Sequence, residues 1–130
     1  MIRIIVTEDN QIVREGIVGL LNTQPDIEVV GEAENGVKAL EILQSGTCAD
    51  IVLADLNMPQ MDGFKLIEQL SIKHAEIKVI ILTMQQRKSF VKHSFEAGAK
   101  GYVLKDVDFE DLYEAIRKVF AGDNFVYAGF

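Results

Sequence analysis

The sequence predicts an α/β fold, a doubly wound parallel sheet with helices on both faces. Three observations predict it. Apolar runs alternate five times with stretches whose apolar residues recur at helical spacing. Two of the runs, Ile51-Val52-Leu53-Ala54 and Val79-Ile80-Ile81-Leu82, show no polar alternation, as in strands buried on both faces. Each of these runs then stops at a polar residue, Asp55 in one case and Thr83 in the other.

The elements follow in order. Ile2 to Thr7 reads as a strand, and Asn10 can cap a helix whose inward stripe is Val13, Ile17, Leu20 and Leu21. After Pro25 comes a weaker strand, Glu28 to Ala33. Asn35-Gly36 starts a helix carrying Val37, Leu40 and Leu43, which Ser45-Gly46 ends. The strand ending at Asp55 is next, and Pro59 stops regular structure beyond it. Asp62 can cap a helix with Phe64, Ile67 and Leu70 inward. The strand Val79 to Leu82 precedes a helix predicted over Gln86 to Ala97, whose stripe of Phe90, Val91 and Phe95 is thin. Gly98 closes it, and Gly101-Tyr102-Val103-Leu104 is a short strand ending at Lys105. Asp108 caps a last helix with Phe109, Leu112, Tyr113, Ile116, Val119 and Phe120 facing inward.

This is a (βα)5 pattern. The first, third and fourth strands are the most apolar, so the second and fifth belong at the edges. The expected architecture is therefore a flavodoxin-like five-stranded parallel sheet of order 2-1-3-4-5. A chain of 130 residues is one domain, and 48% hydrophobic with 25% charged residues is typical of a soluble globular protein. No apolar run approaches the ~20 residues of a membrane helix. Cys48 is the single cysteine, which excludes an internal disulfide and fits a reducing, cytoplasmic setting. A net charge of −7 argues against this segment gripping nucleic acid itself.

In a parallel sheet the residues after each strand share the carboxyl edge, where ligands bind. Here those residues are Glu8 and Asp9, Asp55, Thr83, and Lys105. Glu8, Asp9 and Asp55 should surround one crevice between the first and third strands. Three carboxylates there repel one another unless a cation joins them, and Mg2+ suits oxygen ligands of this kind. Asp55 could then act as a nucleophile toward a phosphoryl donor, with Lys105 and Thr83 serving the remaining oxygens. Taken singly, each residue has an ordinary structural explanation, such as acids favouring a helix N-terminus. Five matched residues at five consistent positions make the case together.

At this point the chain resembles the receiver domains of bacterial two-component response regulators, over residues 1–121. The matching motifs are Glu8-Asp9, Asp55-Leu56-Asn57-Met58-Pro59 with Asp62-Gly63, Leu82-Thr83, and Gly98-Ala99-Lys100-Gly101-Tyr102-Val103-Leu104-Lys105. The resemblance implies a phosphoryl group on Asp55 and Mg2+ among Glu8, Asp9, Asp55 and the Asn57 backbone carbonyl. It implies phosphoryl contacts from Thr83 and Lys105, a switch pairing Thr83 with Tyr102, and a sensor histidine kinase as donor. It makes the chain a signalling switch and no enzyme beyond its own phosphorylation and dephosphorylation. Gly101-Tyr102-Val103-Leu104-Lys105-Asp106 and Ile27-Glu28-Val29-Val30-Gly31-Glu32-Ala33 look like the LuxR/NarL-type receivers joined to helix-turn-helix domains. Residues 122–130 would then be a tail or the start of a linker to an output domain, through which alone DNA would be reached. Transcription regulation and phosphorylation-dependent dimerisation follow as expectations, with a standalone receiver as the alternative.

One residue departs from the family pattern: Met84 follows Thr83 where a small side chain is usual. It should narrow access to Asp55, slowing phosphorylation by small donors and the approach of water. Glu8 in place of an aspartate should still hold a metal-bound water. His74 and His93 read as surface residues. Other functions fit less well. A haloacid-dehalogenase-type phosphohydrolase wants Asp-x-Asp after its first strand, and a flavin module needs a phosphate-cradling loop where Glu8-Asp9 would repel one. A pseudo-receiver would lack part of the residue set.

Overall fold

The computed structural model describes residues 1–129. Along the chain run β1 (Ile2–Thr7), α1 (Gln11–Leu21), β2 (Ile27–Ala33), α2 (Gly36–Gln44), β3 (Ile51–Ala54) and α3 (Gly63–Lys73). They are followed by β4 (Lys78–Thr83), α4 (Lys88–Ala97), β5 (Gly101–Leu104), α5 (Phe109–Phe120) and β6 (Val126–Ala128). The sheet order is β2-β1-β3-β4-β5-β6, with every pairing parallel.

The strand order expected from the sequence holds through β5, but the sheet has six strands rather than five. β2 lies at an edge as anticipated. β5 does not, because β6 pairs along it. Residues 126–128 of the expected tail or linker thus belong to the sheet; Phe130 lies outside the described residues.

Two apolar layers sandwich the sheet. On one side Leu40, Leu43, Leu66, Ile67 and Leu70 of α2 and α3 pack on Ile5, Val52 and Ile81, with Phe90, Val91 and Phe95 of α4 partly buried beside them. On the other, Ile17 and Leu21 of α1 and Leu112, Ile116 and Val119 of α5 cover Ile4, Leu53, Ile80 and Val103. Alternation along each strand divides its side chains between these layers, so β3 is apolar throughout, and β1 and β4 are apolar over residues 4–6 and 79–82.

Local chemistry sets the helix starts. The side chains of Asn10, Asn35 and Asp62 accept from the N–H groups of Val13, Lys38 and Lys65, respectively. Asp108 occupies the N-cap position of α5 without a side-chain cap bond. α4 begins at Lys88, two residues after the expected start, and its N-cap Arg87 makes no side-chain cap bond either. The expected inward stripes run too long at three positions. Val13, Phe109 and Phe120, at 37%, 37% and 43% exposed, lie in the terminal turns of α1 and α5.

Candidate functional site: an acidic crevice at the carboxyl edge

Strand register builds the site. Thr7 of β1 is level with Ala54 of β3, so the next residues, Glu8 and Asp55, leave the sheet side by side. Thr83 of β4 is level with Leu104 of β5, which puts Lys105 one step beyond Thr83. The Asp55 N–H donates to Thr7 O at 3.3 Å, and the Lys105 N–H to Thr83 O at 2.9 Å, extending the ladder to the residues that carry charge. Gly63, at the start of α3, packs against the same exit. A Cβ there would fall 2.6 Å from Asp55 O and 2.9 Å from Leu56 Cα, so the close approach of α3 requires glycine.

Glu8, Asp9 and Asp55 each offer a carboxylate oxygen, and the three lie within 4.8 Å of one another. Glu8 and Asp55 are buried, Asp9 exposed. Lys105 Nζ bridges the two buried acids, donating to Asp55 Oδ2 at 2.6 Å and to Glu8 Oε1. The other Glu8 oxygen accepts from the Asn10 N–H at 3.1 Å, and Arg14 Nη1 donates to the Glu8 carbonyl at 2.7 Å. Asp55 Oδ1 accepts from the Asn57 N–H at 3.3 Å.

Burial raises the Glu8 pKa above the ordinary glutamate value; its bond to Lys105 pulls the other way, and Asp9 adds to the rise. For Lys105, burial disfavours the ammonium, but its bonds to Asp55 and Glu8 outweigh this and hold its pKa up. Both values rise, which disfavours the Glu8 charge and favours the Lys105 charge; Glu8 is the more enclosed, with 4% of its side chain exposed against 19% for Lys105. Pairing offsets only part of the cost of burying that carboxylate.

Thr83 is buried, and its Oγ1 accepts from the Gln85 N–H at 3.4 Å. Tyr102 is wholly buried, and its hydroxyl donates to Gln85 O at 2.7 Å. Burial first, and the Asp55 charge second, push the Tyr102 phenol up to about 12. The Gln85 backbone therefore joins the two residues expected to form the switch. Nothing in the sequence singled it out, because a backbone carries no residue-type signal. Met84 projects from the end of β4, 60% exposed, and Asn57 is also exposed. The structure thus gathers Glu8, Asp9, Asp55 and Lys105 into one cluster and links Thr83 to Tyr102 behind it. His74 and His93 stand apart from the cluster; His93 packs edge-on against Phe64, ring centroids 4.4 Å apart.

A family model described as the response regulator receiver domain matches residues 4–117. The chain belongs to this family. The transcriptional regulatory protein DegU of Brevibacillus brevis is 33% identical over 126 residues, covering 97% of this chain and 53% of DegU. The nitrate/nitrite response regulator protein NarL of Escherichia coli (strain K12) is 35% identical over 120 residues, 92% of this chain and 55% of NarL. The chain spans about half the length of these curated relatives. Among solved structures, a LuxR-family two-component response regulator from Aurantimonas sp. SI85-9A1 superposes with a TM-score of 0.89 at 34% identity, covering 97% of this chain and 88% of that one. The signal receiver domain of the putative response regulator NarL from Mycobacterium tuberculosis gives 0.87 at 29% identity, with 93% and 97% covered. The chain is thus a receiver of the LuxR/NarL type, a signalling module within two-component regulation. No helix among the described residues is long and apolar enough to cross a membrane.

Proposed function

We propose that this receiver accepts a phosphoryl group on Asp55 from a phosphohistidine of a sensor kinase. The observation that carries the reading is the cluster itself: a buried aspartate beside two further carboxylates, held by one lysine. An Asp55 oxygen attacks phosphorus in line, the P–N bond breaks, and the imidazole leaves with the bonding pair. Hydrolysis of the resulting acyl phosphate by water returns the carboxylate and inorganic phosphate.

The donor set fits a divalent cation. Three carboxylates against one ammonium leave two negative charges in a small volume, and oxygen ligands of this type suit magnesium. Glu8, Asp9, Asp55 and the Asn57 carbonyl are the residues that would hold it. Bound there, Mg2+ would neutralise charge on the entering phosphoryl oxygens. Lys105 then gives up its grip on Glu8 and turns toward a phosphoryl oxygen, while Thr83 supplies its hydroxyl to another. Tyr102 follows Thr83 through Gln85. Met84 borders the approach to Asp55 and slows both small donors and water.

The relatives' names and lengths support a role in transcription: the activated domain would control a DNA-binding output domain, with dimerisation on phosphorylation as one route. A receiver acting alone in the cytoplasm through protein contacts is the alternative. Intact-mass measurement after incubation with Mg2+ and a phosphodonor tests the chemistry. One phosphate adduct on the wild type, absent from Asp55→Ala, is expected; no adduct, or an adduct that survives the substitution, refutes it.

A further inference from the structure

The sixth strand reaches the acidic crevice through a short series of direct contacts. Tyr127 of β6 is in register with Tyr102 of β5, and the Val126 N–H donates to Lys100 O at 3.0 Å. Paired residues of a parallel ladder face the same side, so Tyr127 stands beside Tyr102 on the α4 face. Just before β6, Phe125 meets Phe95 of α4 edge to face, ring centroids 5.5 Å apart. Just after it, Gly129 lies with φ +100° tight against β5 and its following turn. A Cβ at that position would fall 2.7 Å from Leu104 Cβ and 2.9 Å from Val107 Cγ1.

A ring held between a sheet and a helix can leave the core only over the lateral edge of its strand. For Tyr102 that edge is the one β6 occupies. The Tyr102 hydroxyl in turn holds Gln85 O, and the Gln85 N–H holds Thr83 Oγ1 at the rim of the crevice. β6 is a short element at the edge of the sheet: it has three residues, and Tyr127 and the adjoining Phe125 are 62% and 64% exposed. Segments of this kind open at low free-energy cost, so their docking is easily biased.

We propose that β6 is an intramolecular latch that keeps Tyr102 buried and, through Gln85 and Thr83, favours phosphoryl occupancy of Asp55. The inference rests on the proposed reading of Asp55 as phosphoacceptor, in which Thr83 turns its hydroxyl to the phosphoryl group and Tyr102 follows it inward; that reading supplies the sign. Coupling between sites is reciprocal, so phosphorylation should also tighten β6 against β5. Whatever continues the chain beyond β6 would feel the state of Asp55 through this strand.

The test uses the full chain carrying Gly129→Val, which blocks docking of the strand end and touches no residue of the crevice. Residue-resolved amide exchange reports on Val126 and Gln85, and titration with beryllofluoride plus Mg2+ reports on the site. Expected are faster exchange at both amides and beryllofluoride binding weakened roughly fivefold or more. In a Tyr102→Phe background, Gly129→Val should change that affinity by less than about twofold, because the link is already cut. Phe125→Ser, which removes the contact with Phe95, should reproduce the pattern and serves if Gly129→Val fails to fold. Freed exchange at Val126 with Gln85 exchange and beryllofluoride affinity both at wild-type values overturns the latch. If the wild type itself does not bind beryllofluoride, the phosphoacceptor reading falls. The coupling to phosphoryl occupancy falls with it, and Gln85 exchange then decides only whether β6 holds the Tyr102–Gln85 link: acceleration supports that link, and no change overturns it.

Discussion

Replacing Lys105 with methionine keeps most of the side chain's length and removes its charge. The two acids that it bridges are nearly enclosed, with 4% of the Glu8 and 11% of the Asp55 side chain exposed. Their usable oxygens lie within 4.8 Å, where two unit charges repel by about 3.5 kcal/mol or more at an effective dielectric of ~20. Breaking a buried pair costs ~3–5 kcal/mol, and because this crevice opens to water we expect a loss of about 3 kcal/mol. The loss must depend on pH. Burial already raises the Glu8 pKa above its unfolded value, and removing the ammonium raises it further. A carboxyl raised on folding costs nothing below its unfolded pKa and costs most above its folded one, so the deficit should shrink in mild acid. Mg2+ should restore stability, by ~2.7 kcal/mol at a hundred times its dissociation constant, and by more than in the wild type, where Lys105 competes for the same oxygens. Urea unfolding near neutrality and in mild acid, with and without Mg2+, measures all three quantities. A loss below ~1 kcal/mol, or one indifferent to acid, would show that Lys105 does not balance these charges.

Three further outcomes are expected. Gly63→Ala should cost about 2–3 kcal/mol in urea unfolding, because its Cβ would press on Asp55 O and the Leu56 backbone rather than on a flexible side chain. Met84→Ala should speed both acetyl-phosphate-driven phosphorylation and dephosphorylation about fivefold, an approach barrier of ~1 kcal/mol, as followed by intact mass; unchanged rates would remove Met84 from the access path. Tyr102 should ionise at about 12, and tyrosinate absorbance should lose that late phase in Tyr102→Phe. A phenol raised on folding stabilises the fold below its unfolded pKa of ~10 and loses that contribution as pH climbs through the folded value. The wild type should therefore lose more stability than Tyr102→Phe across that alkaline window.

Much of this architecture was legible because its signals are local or periodic. Asn10, Asn35 and Asp62 announce helix starts by residue type, and their side chains do make the capping bonds. The unbroken apolar runs of β3 and β4 mark strands covered on both faces, and parallel topology then sends Glu8, Asp55 and Lys105 to one edge. β6 was not legible. Val126, Tyr127 and Ala128 are too few for a period to register, and they follow a helix that already completes a regular pattern. The clues were the β propensity of Phe125-Val126-Tyr127 and the closing Gly129, whose close packing on Leu104 only coordinates disclose. Arg87 offers no capping signal for α4, so residue type does not mark its start at Lys88. Spacing placed Lys105 at the crevice but could not show that its ammonium lies between Glu8 and Asp55.

That bridge has a consequence for biosynthesis. The three acids come from the first half of the polypeptide, whereas their neutralising cation follows the fifth strand. A nascent chain emerging amino end first lacks the cation of its own crevice until most of the domain has left the ribosome. Charge balance in the crevice, and with it full closure, is therefore a late act of folding.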